Sequence, residues 1–243
     1  VKVTLNVTDN LIANHGDNEP WRYSRLRWLN SQIGFDDEVI APYIPLNVQD
    51  KTISLLGRKV TLQPNGFPAQ ITSYFKETLT EIGTEGLDIL SRPMELTTGE
   101  NWENLDFTYT KRKAGALGWH ATNQNNQFIM NLDAQIESDG NMEYKVVLIA
   151  RKDGEINDIA LRTELAPNIA QYMMGLGEKG GYCPQNLDWK WDVEKNQDAL
   201  WTGSVNGGLQ LRFYDDKYER PLNTNFYHEK PLHMPVSWCN NGN

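Results

Sequence analysis

The chain has only two cysteines, Cys183 and Cys239, and neither sits at metal-ligand spacing from another candidate ligand. Two thiols are too few to staple 243 residues, so buried or idle thiols are expected rather than a disulfide framework. No apolar run approaches the roughly 20 residues that cross a bilayer, and the opening VKVTLNV lacks the basic and apolar regions of a signal peptide. Positive charge is the minority sign. With 23 Lys and Arg against 32 Asp and Glu, the net charge is -9, so a polyphosphate meets repulsion and no nucleic-acid partner is expected. Also missing are a nucleophile elbow, a phosphate-cradling loop, a paired CxxC and an HExxH. His15, His120, His228 and His233 show no metal spacing. No metal, cofactor or catalytic residue is therefore assigned.

What is present is a globular composition. Hydrophobic residues at 39% and aromatics at 10% supply a core, and charge is spread along the chain instead of blocked. A single domain spanning 1–243 is the expectation, since all-β domains commonly run to about 200 to 250 residues. The chain starts with Val, and SWCNNGN reads as a turn cut before its next strand. It is therefore expected to be a fragment of a larger multidomain protein.

Period two dominates. Val1, Val3, Leu5 and Val7 alternate with polar residues, as do Leu105, Phe107 and Tyr109, then Met142, Tyr144, Val146, Leu148 and Ala150, and finally Leu209, Leu211 and Phe213. Asn65-Gly66, Asp139-Gly140, Asp153-Gly154 and Asn206-Gly207 fall between such runs as hairpin turns. Gln127 to Leu165 reads as an antiparallel meander, and Leu55 to Leu62, with Gly57 inside, as a hairpin or bulged strand. Pro167 to Met174 is the helix candidate, with Pro in the first turn and Gly175 as the stop. Ile71 to Phe75 reads as strand, and the polar stretch from Gly83 to Gly99 as the internal seam. The fold class is all-β: a large antiparallel sandwich of ten or more strands, up to supersandwich size, with one or two short helices.

Between Tyr172 and Leu209 lie Trp189, Trp191 and Trp201 among Asp188, Asp192, Asp198 and seven glycines. Flat rings beside short carboxylates and amides suit a hydroxyl-rich ligand, the rings covering CH patches and the polar groups taking hydroxyls. In an extended Asp188-Trp189-Lys190-Trp191-Asp192 the two indoles share a face. The competing reading puts both rings in the core. Asn206 would add a hydroxyl partner, and Trp119 with the adjacent His120 is a further place to look. GLGEKGG has the wrong spacing for a nucleotide loop and reads as a cap followed by a groove rim. In WRYSRLRWLN, Arg22, Arg25 and Arg27 lie among rings and suit an anionic sugar, but Asp36, Asp37 and Glu38 follow so closely that an internal ion-pair network is preferred. Those three acids read as a solvated turn, not as a glycosidase pair.

RYSRLRWLNSQIGFDDEVIAPY, LLGRKVTL, YMMGLGEKGG, LDWKWD and WTGSVNGGLQL resemble the N-terminal region of large bacterial proteins related to glycoside hydrolase family 123. The resemblance implies a β-sandwich module ahead of a (β/α)8 catalytic barrel that carries the catalytic acids, in an exported glycan-degrading protein. No barrel is present here, so no catalytic position is carried over. The expectation is a noncatalytic accessory domain that packs against the parent's catalytic domain and binds carbohydrate through Trp189, Trp191, Trp201, Asp188, Asp192, Asn206, Trp119 and His120. One rival is a carbohydrate-active enzyme of the large-sandwich type using His120, Tyr172, Asp188 and Asp192. Another is a structural or partner-binding module with a bare apolar patch near Trp238.

Overall fold

A computed structural model of the chain describes Thr4 and residues 36–156, 158–190 and 199–212. Two compact units divide it, Val1–Glu38 and Val39–Asn243. All the described strands belong to the second. The alternation at Val1 to Val7 lies outside the described residues.

Five strands follow one another as an antiparallel meander: β1 Asn47–Gln49, β2 Thr52–Leu55, β3 Arg58–Leu62, β4 Pro68–Phe75 and β5 Ile82–Asp88. β2 and β3 form the expected hairpin, turning at Gly57 with φ 64°. There the Phe75 ring comes within 2.5 Å of where a Cβ would stand, so position 57 accepts glycine on two grounds. After β6, Glu95–Thr97, a second meander joins β7 Glu103–Arg112, β8 Ala116–Gln124, β9 Phe128–Glu137 and β10 Met142–Ala150 in the order β10-β9-β8-β7. β11, Ala160–Arg162, returns to pair with β6. The last sheet is built from β12 Tyr172–Gly175, β13 Glu178–Tyr182, β14 Ala199–Gly203 and β15 Gly208–Arg212, ordered β13-β12-β14-β15.

The first two meanders share one core. Ile53, Leu55, Val60, Leu62 and Ile71 from one and Leu117, Trp119, Ala121, Met130, Leu132 and Ile136 from the other form a single buried cluster, with Met142, Tyr144, Val146 and Leu148 packed against it. Trp119 is fully buried. Its indole N–H donates to the Gly66 carbonyl at 2.9 Å, so the largest side chain of the core leaves no polar atom unpaired. Phe107 and Tyr109 reach this core as their alternation predicts, whereas Leu105 is 50% exposed. A register shift between Asn104 and Asp106 breaks the pleat there and turns Leu105 outward.

The fold class needs correction. The described regular structure is β throughout, in four separate antiparallel sheets, none of them closed, and no helix occurs among the described residues. The expected helix at Pro167 to Met174 is a turn followed by β12. Ile169 and Ala170 donate to the Ala166 carbonyl in one helical turn that is not continued. Ile169 and Met173, both buried and four apart, match a helical face and also suit a turn running into a strand. Pairing of Tyr172 to Gly175 with strands on both sides decides for strand. The meander also ends at β10: Gly154 has nothing within 4 Å of a built Cβ, and the chain returns only at β11, beside β6. The stretch from Gly83 to Gly99 is not a seam, because it carries β5 and β6 and buries Ile89, Leu90 and Met94.

Candidate functional site

On the β12–β15 sheet, residues directly opposite across strands share a face, and so do residues two apart along a strand. Tyr172 pairs with Tyr182 and with Gly203, which pairs with Gly208. Met174 pairs with Trp201, which pairs with Gln210. One face therefore presents Tyr182, Tyr172, Met174, Trp201 and Gln210. It is the outward one, since Tyr182 is 83% and Met174 56% exposed, while Met173 on the other face is buried.

The two tyrosine rings stack with centroids 5.3 Å apart and planes at 29°. Two strand spacings of about 4.8 Å carry the face from β13 to β14, where Trp201 lies half buried. Its ring leans over Gly203, since a Cβ built there would stand 2.8 Å from Trp201 Cζ2. Gly203 and Gly208 give a low floor beside these walls. Such a surface offers rings to CH patches, while Gln210 and the exposed Arg212, which pairs with Ala199 two residues from Trp201, supply polar groups at its β15 edge.

Asn206 turns this hairpin, but its polar groups are used inside the protein. Nδ2 donates to the Phe75 carbonyl at 2.8 Å, and the backbone carbonyl accepts from Ser73 Oγ at 2.7 Å. It positions the sheet and does not offer its amide nitrogen to a ligand. Gly207 next to it lies where a Cβ would meet Ile89 Cδ1 at 2.6 Å, pressing the turn onto the core.

The remaining candidates are not among the residues that the strand pairing brings to this face. Asp188 is exposed and Trp189 half buried in the segment after β13. Trp191 and Asp192 lie outside the described residues, as do the arginines of WRYSRLRWLN, His15, His228, His233 and Trp238. Trp119 has no exposed surface, so its ring serves the core and presents no face to a ligand. His120, one residue on, faces the opposite side of β8. Its Nδ1 is 2.7 Å from Asp133 Oδ1 and its Nε2 3.1 Å from Thr122 Oγ1. None of its hydrogen bonds reaches Tyr172 or Asp188, the partners an acid-base set would need. Asp36 accepts from the Glu38 amide at 3.1 Å, which makes these acids a local turn. Among the described residues no group of three or more His, Cys, Asp or Glu could hold a metal ion.

Residues 46–243 match a family model described as glycoside hydrolase 123, third domain. The chain belongs to that family. No curated protein and no solved structure matches it. The aromatic face of this glycoside hydrolase 123 domain lies wholly inside the matched span, and the arginine-rich segment at Trp21 to Asn30 lies before it. The family description places the domain third, whereas the resemblance in the sequence implied an N-terminal region. No helix among the described residues is long and apolar enough to cross a membrane, which says nothing of a β-barrel.

Sequence reasoning missed Tyr182 and Met174 and gave Tyr172 an acid-base role. Reading Pro167 to Met174 as helix hid the signal. As a strand, Tyr172 and Met174 share one side while Met173 takes the other.

Proposed function

We propose that this glycoside hydrolase 123 domain is a noncatalytic accessory module of a glycan-processing protein, which holds carbohydrate on its outward aromatic face and packs against a catalytic domain of the same protein. The observation that carries the reading is the exposed stack of Tyr172 on Tyr182 beside Trp201. Rings of this size gain most from burial and are costly to leave in water without a use. Family membership supports the glycan class, and the internal hydrogen bonds of His120 weigh against a catalytic role for it.

A glycan array probed with the full chain, followed by titration of tryptophan fluorescence, tests the reading. Weak saturable binding of at least one oligosaccharide, weakened several-fold in Trp201→Ala, supports it. Absence of binding at millimolar saccharide removes carbohydrate from the role and leaves packing alone.

A further inference from the structure

A recess of about 590 Å³ lies at one end of the β7–β10 sheet, and none of its lining residues belongs to the aromatic face. Every residue lining it is polar or glycine, and its charged groups are Glu100, Glu103 and Arg151. The frame is rigid. Asn125, only 8% exposed, accepts on Oδ1 from the amides of Gln127 and Phe128 at 2.9 and 2.8 Å and donates from Nδ2 to Thr98 Oγ1 at 3.0 Å. Its carbonyl accepts from Arg151 Nη1 at 2.7 Å. Glu100 Oε2 is held by the Asn126 amide at 3.1 Å, and Glu103 Oε2 by Gln124 Nε2 at 2.8 Å.

Each charged group is thus held by one hydrogen bond and keeps capacity open to solvent or a ligand. Among the described residues no donor reaches Glu100 Oε1 or Glu103 Oε1, Arg151 retains most of its donors, and neither carboxylate forms an ion pair with the arginine. Fixed acceptors beside a fixed donor, unpaired with one another, match a ligand that carries both functions on neighbouring atoms, as vicinal hydroxyls do. The lining has no ring or aliphatic side chain for an apolar ligand. Two carboxylates against one guanidinium leave it net negative, which disfavours phosphate or a uronic acid.

We infer that this recess is a second saccharide site, selective for neutral hydroxyl-rich units and gripping them by hydrogen bonds without stacking. It rests on the glycan reading above and adds a separate site with its own selectivity. The test is amide chemical-shift mapping of the isotope-labelled full chain, titrated with galactose, with N-acetylglucosamine and with glucuronate. A neutral sugar is expected to move the Gly99, Asn126 and Gln127 amides saturably at millimolar concentration, and glucuronate to move them less. Glu103→Gln and Arg151→Gln should each weaken that binding about tenfold or more, the loss of one charge-assisted hydrogen bond. Shifts confined to amides around Tyr172, Tyr182 and Trp201 would overturn the second site and leave the aromatic face standing. Shifts at the recess alone would support it while removing the stacking role, and no shift anywhere would overturn both. Mapping on the unsubstituted chain gives the answer even where a variant fails to fold.

Discussion

Asn206 Nδ2 donates to the Phe75 carbonyl at 2.8 Å across 131 residues of chain, and Ser73 Oγ returns a hydrogen bond to the Asn206 carbonyl at 2.7 Å. These two bonds tie the turn that carries the aromatic face to the end of β4. Asn206→Ala removes the side-chain bond and leaves a part-buried carbonyl short of a donor. It is expected to cost about 1–3 kcal/mol in urea unfolding. Saccharide affinity should hold in the folded fraction, because the amide serves the frame.

Tyr182 and Trp201 should separate binding from stability. Tyr182 is 83% exposed and its ring rests on Tyr172, so Tyr182→Ala should leave the melting temperature within a few degrees while lowering saccharide affinity. Loss of one stacked ring corresponds to about 1 kcal/mol, or several-fold in Kd. An unchanged Kd in both Tyr182→Ala and Trp201→Ala would rule out stacking on this face.

Gly203 tests how tightly the hairpin closes. A Cβ there would stand 2.7 Å from the Gly207 carbonyl oxygen and 2.8 Å from Gly208 Cα, both backbone atoms that cannot swing aside. Gly203→Ala is expected to destabilise by about 1–3 kcal/mol, as overpacking does. Gly181 is the control. It has nothing within 4 Å of a built Cβ, so Gly181→Ala should stay within about 0.5 kcal/mol in the same denaturation experiment.

Stability should fall in alkali. Burial pushes the Tyr144 phenol well above its ordinary value of 10.0, and burial also raises Tyr109, with Arg112 opposing. Above about pH 10 the unfolded chain therefore loses protons that the folded chain keeps, so folding weakens as pH rises through that range and is unaffected below it. Tyr144→Phe should flatten the alkaline fall without abolishing it, since Tyr109 contributes in the same direction. At neutral pH it should cost little, because among the described residues the hydroxyl donates only to Met142 Sδ at 3.7 Å.

Period two was readable wherever a strand keeps one face on the core for its whole length. Met142, Tyr144, Val146 and Leu148 show this, and so do the turns at Gly57, Gly66 and Gly140, whose positive φ a glycine accepts without strain. The alternation misled at Leu105, where a bulge reverses the pleat, and the proline and Gly175 read as helix start and stop misled at Pro167 to Met174, where Tyr172 to Gly175 pair as a strand. Among the candidate site residues, Trp201 stood out as an aromatic among glycines, and strand pairing sets it half buried on the outward face. Trp119 carried the same local signal and lies in the core.

By itself the amino-acid sequence determined the predominance of strand, the tight turns at Gly66, Gly140 and Asn206-Gly207 though not the one expected at Asp153-Gly154, the acidic balance and the kinship with glycoside hydrolase 123, because these depend on local alternation, glycine conformation, summed charge and motif wording. Only the tertiary structure decided which rings face water and which sheets share a core. Strand pairing sets those outcomes: the partners of Tyr172 to Gly175 turn Tyr172 and Met174 outward and bury Met173, and packing against the first meander buries Trp119. Residues far apart in the chain make these contacts, so no window of sequence contains them.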